Sequence, residues 1–522
     1  MKLKFLALSM ALSSSVLISA CNSNDDTTSA PQRGEWSVPS NQSSNPSAIN
    51  SWYNAGVDAV ASAKSAWQAE TSSALSNGQG HAKNIILFVG DGMGMSTVTA
   101  ARILEGQMLN PEGGEEHKLS FENFPFTGLA KTYNTDAQTP DSAGTMTAMM
   151  SGVKSFAGGI SIADTASRGD CASANGKELI TALDLAKMAG MKAGIVSTAR
   201  LTHATPAATY AKLPERNWEN DTQVAAGCVD IAKQMIDYSV GGGIDVMLGG
   251  GWRNFASSEH GGRRLDQDLT EAWLAANPSG SYVNNRDQFI TVDPNSSDKL
   301  LGLFNSSHMD YEADRVKYGE DSEPSLAEMT EKAIEMMQSN EQGFFLMVEA
   351  GRIDHAHHGG NAQRALKDAL ALSDAVAKAD QLTNDEDTLI IVTADHSHVF
   401  TIAGYPRRGN PILGLVENQD GSLQMAGDDK PYTTVGYTNG PGAANTFVNG
   451  ERVSLNSTTV QALDFQQQAS VPMSSETHAG EDVPVYAKGP ASSLVRGTME
   501  QNEIFHIMNF AGNLMTRADA MQ

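Results

Sequence analysis

Five short apolar runs punctuate the chain, each bounded by glycine or a polar residue: "NIILFVGD" (84–91), "KAGIVSTA" (192–199), "IDVMLGGG" (244–251), "GFFLMVEAG" (343–351) and "TLIIVTADH" (388–396). Polar residues do not alternate within them, so both faces of each strand need covering, which predicts an α/β fold: a central, mostly parallel sheet with helices on both faces. Helical periodicity fills the spaces between, in "KELITALDLAKMAG" (177–190), "SLAEMTEKAIEMMQ" (325–338) and "AQRALKDALALSDAVAKADQL" (362–382). A further helix is predicted ahead of the sheet, from about Pro46 to Leu75, with Tyr53, Val57, Val60, Ala63 and Trp67 at helical spacing. Between Gly404 and Ser475 periodicity fades and Gly, Pro and Asn become frequent, which predicts an inserted subdomain of turns and short strands, a lid or a partner contact, within a folded unit covering 47–522.

The residues at the strand ends narrow the picture. The first strand runs into Asp91, the second into "RLTHATP" with His203 and Thr205, the fourth into Glu349 and "RIDHAHH", and the fifth into Asp395 and His396. In open α/β sheets ligands bind at the carboxyl ends of the strands, so four strands deliver carboxylate, imidazole and hydroxyl to one edge. Five of the 12 histidines fall in the segments 355–358 and 396–398, a concentration that single structural histidines do not explain. Asp354 and His358, four apart, can share one helical face, and His478 lies in a glycine-bounded loop. Mixed imidazole and carboxylate ligation suits zinc, whereas Asp, Glu and Thr oxygens suit magnesium.

Composition removes some alternatives. Lys and Arg total 36 against 61 Asp and Glu, a formal charge of -25, which opposes nucleic acid as a specific partner. The opening "MKLKFLALSMALSSSVLISAC" has the charged start and apolar run of an export signal, residues 1–20. Its ending resembles a lipobox, with Cys21 as the lipidated residue; a plain signal cleaved near Ala20 is the alternative. Residues 21–46 are polar and Ser/Pro-rich and read as a disordered tether. The protein is therefore expected outside the cytoplasm, periplasmic or at the cell surface, and held to a membrane only through a lipid anchor. In an exported chain the two remaining cysteines, Cys171 and Cys228, are expected to join, a free buried pair being the alternative.

The stretch "TPDSAGTMTAMMSG" (139–152) places Asp141 and Ser142 at the mouth of a helix. Helix capping alone accounts for a serine there. The same N–H groups and the helix dipole also bind phosphate and favour an alkoxide, and beside a zinc the Ser142 oxygen becomes a nucleophile.

In the order "FVGDGMG", "TPDSAGTMTAMMSG", "THATPAATYA", "ERNWEND", "VEAGRIDHAHH", "TADHSHVF", "GYPRRGNPI" and "ETHAGEDVPVYAKGP", the chain from about Asn84 to its end resembles the alkaline phosphatase family. The resemblance implies that Asp354, His358 and His478 ligate a first zinc and Asp91, Asp395 and His396 a second. Ser142 would be the nucleophile, and Asp91, Thr205 and Glu349 would hold a magnesium. Arg216 matches the arginine that clamps phosphate; without the resemblance it would read as a surface partner of Glu215 or Glu219. Asp141, His203 and His355 stand next to these residues. His203 and His355 replace an aspartate and a lysine of the enterobacterial type and match the animal branch, as do Cys171 with Cys228. For the calcium site of animal relatives only Glu323 matches, with Asn305 where an acid is expected, and that site is not carried over. The implied activity is hydrolysis of phosphomonoesters through a phosphoserine, in a homodimer. A phosphodiesterase or sulfatase of the same superfamily, or a non-enzymatic metal-binding lipoprotein, are the alternatives.

Overall fold

The computed structural model describes residues 50–71, 82–111, 113–318 and 322–521. Cys21, the signal and the tether lie outside the described residues. Ten strands form one sheet: β1 (Asn84–Gly90), β2 (Phe126–Lys131), β3 (Lys192–Arg200), β4 (Val246–Gly250), β5 (Ser281–Val283), β6 (Leu300–Leu303), β7 (Phe344–Ala350), β8 (Thr388–Ala394), β9 (Val483–Lys488) and β10 (Gly497–Glu500). Their order is β10-β2-β9-β8-β1-β7-β3-β4-β6-β5. Only β9 runs antiparallel to its neighbours, β2 and β8. The apolar runs at 84–90, 344–350 and 388–394 are buried throughout, as strands covered on both faces must be.

The helices that matter for the site are α1 (Ser51–Thr71), α2 (Met95–Leu109), α3 (Ser142–Ser151), α4 (Ala182–Met188), α5 (Ala204–Tyr210), α6 (Leu326–Met337), α7 (Arg352–His358), α8 (Ala362–Leu382) and α9 (Glu503–Gly512). The expected helix 362–382 is found with those bounds, and 325–338 becomes α6 with Ser325 as N-cap and Glu328 closing a capping box. The expected helix 177–190 is shorter. Thr181 caps α4 through a capping box with Asp184, while Glu178 bridges Ile162 and the Leu179 N–H donates to the Ser161 carbonyl, so the preceding residues are held extended. Local pairing outweighs helical periodicity there.

Residues 404–475 lie off the main sheet. Val435–Gly440 pairs with Phe400–Ile402 and with Ala469–Pro472, and Leu415, Leu455, Val460 and Phe465 form a separate small apolar cluster. Cys171 and Cys228 form a disulfide, closing the free-thiol alternative.

Candidate active site

Strands β8, β1, β7 and β3 are adjacent, with Gly90 level with both Ala394 and Ala350, and Glu349 level with Val89 and Ser197. Their carboxyl ends therefore bring Asp395 and His396, Asp91, Glu349 with Asp354 on α7, and His203 with Thr205 on α5 to one rim. His478 reaches the same place by another route: the 478–479 segment pairs antiparallel with 397–398, setting His478 opposite His398.

The predicted residues form two adjoining groups. Asp354 Oδ1 lies 3.3 Å from both His358 Nε2 and His478 Nε2, and those two nitrogens are 3.1 Å apart. His396 Nε2 lies 3.4 Å from Asp91 Oδ1 and 3.4 Å from Asp395 Oδ2. The His396 and His478 rings stack at 3.6 Å, joining the groups. On the other side Asp91 approaches Glu349 and His203.

α3 presents Ser142 to this rim. Its N-cap is Asp141, whose Oδ1 accepts from the Gly144 N–H at 3.1 Å and from Asn134 Nδ2 at 3.0 Å. Ser142 is thus the first helical residue and not the cap, and its Oγ stands 3.1 Å from His396 Nε2. A Cβ at 144 would sit 2.6 Å from Asn134 Oδ1, so a larger residue there would push away the Asn134 amide that bonds Asp141.

Arg216 is half-buried between Asp141 Oδ2 at 3.0 Å and His203 Nε2 at 3.1 Å. It pairs with neither Glu215, which bonds Arg168, nor Glu219, which bonds Arg200. His355 packs against His203 and His308. His357, in the same histidine-rich helix, is held by Thr97 and Tyr437 and faces away from the carboxylates. Asn305 donates to Glu323 at 2.7 Å, and the Asp310 N–H occupies the other Glu323 oxygen. Two buried residues that sequence reasoning does not assign, His398 and Glu476, also enter the rim.

The electrostatics state what the pocket needs. Burial and the neighbouring Asp395, Asp354 and Glu349 push Asp91 well above the carboxylate range; burial also raises Asp395, and Glu349 rises to about 8. Burial raises Asp354 too, but His358, His398 and His478 outweigh it and hold that carboxyl low. Both oxygens of Asp91, Asp395 Oδ2, Glu349 Oε1 and Thr205 Oγ1 are buried without a hydrogen-bond partner. Such a group is stable when a cation takes the place of the missing donors. The ligand spacings of 3.1–3.4 Å also match the edge of a tetrahedron with zinc–nitrogen and zinc–oxygen bonds of about 2.0–2.1 Å.

A mostly parallel α/β sheet that gathers these carboxylates and imidazoles at one rim defines a protein built to hold metal ions there. The sequence profile of the alkaline phosphatase family matches residues 82–514. The tissue-nonspecific alkaline phosphatase of Gallus gallus is 46% identical over 453 residues, covering 83% of this chain and 85% of that one. The Homo sapiens counterpart is 44% identical, covering 82% and 83%. In fold, the alkaline phosphatase of Thermus thermophilus superposes with a TM-score of 0.61 at 24% identity, covering 87% of this chain and 98% of that one. The enzyme of the Antarctic bacterium TAB5 gives 0.57 at 22% identity, covering 83% and 99%, and a variant of it holds Mg in a site designated M3. The chain belongs to the alkaline phosphatase family, and it is a phosphomonoester hydrolase.

Proposed function

We propose that Ser142 is the nucleophile of this phosphatase and Arg216 its phosphate clamp. In this reading Asp354, His358 and His478 hold one zinc; Asp91, Asp395 and His396 hold a second; and Asp91, Thr205 and Glu349 hold a magnesium next to His203 and His355. The observation that carries the reading is the set of partnerless buried oxygens on Asp91, Thr205, Glu349 and Asp395 beside the Ser142 hydroxyl. When bound, the metals supply charge neutralisation and lower the proton affinity of the oxygens they touch.

The chain's own residues supply positioning. Asp141 takes the capping bond, which leaves the Ser142 oxygen directed at the rim, above the backbone N–H groups that open α3. Arg216 is fixed by Asp141 and His203, which use two of its five N–H donors and leave its fork able to grip two phosphoryl oxygens. Ser142 Oγ gives up its proton and bonds to phosphorus while the bond from phosphorus to the alcohol oxygen breaks, and the leaving oxygen takes up a proton and departs as the alcohol. Water then cleaves the phosphoserine, releasing inorganic phosphate and restoring the hydroxyl. Phosphodiesters carry a second ester group where Arg216 grips, which favours monoesters.

The same reading treats 47–522 as one catalytic domain with 404–475 as an inserted subdomain, in a homodimer. Exposed Phe447, Val448, Val471 and Met473 lie in or beside that insert and suit contact with a second copy. It also includes export with lipidation at Cys21, supported by the lipobox-like "ISAC". No helix among the described residues is long and apolar enough to cross a membrane.

Metal analysis of purified protein, paired with turnover of an aryl phosphate, tests the proposal. Two zincs per chain, loss of turnover on chelation and recovery with zinc are expected. Full turnover by metal-free protein would overturn it.

A further inference from the structure

Glu476 has no part in the preceding roles, yet it is 1% exposed and is bonded into the first zinc set through both its side chain and its backbone. Its Oε2 lies 2.5 Å from His398 Nδ1, and His398 Nε2 lies 2.8 Å from Asp354 Oδ1. Its backbone carbonyl lies 2.6 Å from His358 Nδ1, and its N–H donates to the His358 carbonyl at 2.9 Å. Its Oε1 accepts from the Val399 N–H at 2.8 Å, just beyond the 397–398 segment that pairs with His478. His478 comes two residues later in the chain.

We propose that Glu476 is the positioning residue of the first metal subsite, orienting Asp354 through its carboxylate and His398, His358 through its backbone carbonyl, and the ribbon that carries His478 through Val399. The inference rests on the reading of those three as ligands. His398 is the arm to Asp354 and not itself a ligand, because carboxylates occupy both of its nitrogens. The turn after β1 holds that ring in place, since a Cβ on Gly92 would fall 2.4 Å from His398 Cδ2. The bond from His358 Nδ1 to the Glu476 carbonyl sets the tautomer that turns the Nε2 lone pair toward Asp354 and His478. Val399 ties the carboxylate to the ribbon that delivers His478. The His478 ring itself is held by the Pro140 carbonyl, 2.8 Å from its Nδ1, so Glu476 orients Asp354 and His358 by its own bonds and His478 only through the placement of this ribbon.

The test is zinc affinity, measured by competition with a chelator on metal-stripped wild-type, Glu476→Ala and Glu476→Gln proteins, with thermal melting of the metal-free forms as the folding control. Wild type is expected to bind two zincs tightly. In Glu476→Ala one of the two is expected to weaken about 10–100-fold while the other is unchanged. Both variants keep the backbone carbonyl to His358, and Glu476→Gln also keeps the side-chain shape; it should lose less than the alanine variant, though at least several-fold, so it carries the test if the alanine variant does not fold. A folded variant that binds both zincs as tightly as wild type overturns the role of Glu476. Wild-type protein that binds no zinc instead overturns the ligand reading beneath it.

Discussion

The Ser142 hydroxyl oxygen stands 3.1 Å from Nε2 of His396, although 254 residues separate them in the chain. The contact exists because Asp141, and not Ser142, caps α3, and because β8 ends beside β1 at the rim. Replacing Ser142 with alanine removes the oxygen proposed as the nucleophile and leaves the Asp141 cap in place. Turnover of an aryl phosphate is expected to fall on the order of 10³-fold or more, with melting temperature within a few degrees of wild type.

Arg216 is held from two sides, by Asp141 and His203. Arg216→Ala is expected to raise KM for a monoester and lower kcat, with about a 10²-fold or greater loss in kcat/KM. Arg216→Lys should recover only part, because an ammonium has no planar fork. Asp141→Ala, which frees one side of the guanidinium, should cost less than Arg216→Ala. Steady-state kinetics across the three variants check this ordering.

Much of this arrangement is legible in the sequence, and the exceptions have a common cause. The runs at 84–90 and 388–394 stand out because burial on both faces leaves no polar alternation, and the acids that end them follow directly. His357 and His358 are neighbours with opposite roles, and only packing separates them: Thr97 and Tyr437 engage the first, while the second faces Asp354. His398 and Glu476 lie in segments the sequence marks, but their partnership carries no local signal because it depends on pairing between 397–398 and 478–479, about 80 residues apart. The periodicity of 177–190 overruns the helix itself because Glu178 and Leu179 pair with residues near 161, a contact no local pattern encodes.

The Cys171–Cys228 disulfide spans a sequence separation of 57 and ties the segment after α3 to the turn before 231–236. Replacing both cysteines with serine is expected to destabilise the protein by about 2–5 kcal/mol, chiefly by freeing the unfolded chain. Denaturant unfolding of oxidised wild type against the double variant measures it.

His506 on α9 is buried against Tyr53 of α1, with ring centroids 4.6 Å apart, and its Nε2 finds no partner. Burial lowers its pKa from 6.5 to about 4. The unfolded chain therefore takes up a proton at this residue before the folded one does. Its contribution to stability is complete above about pH 6.5 and is lost as pH falls toward 4, a difference of about 3 kcal/mol. His506→Phe keeps the ring contacts and removes the titration. The stability of wild type minus that of the variant should fall across this window; a difference independent of pH would sink the assignment.

The most direct test of the central claim, that a serine at this acid- and imidazole-lined rim carries the phosphoryl group, is covalent labelling. Zinc-loaded protein is incubated with radiolabelled inorganic phosphate, quenched in acid and mapped by peptide. Label on the peptide containing Ser142, absent from Ser142→Ala and from metal-stripped protein, is expected. Label on another residue, or active wild-type enzyme that traps none, would contradict it.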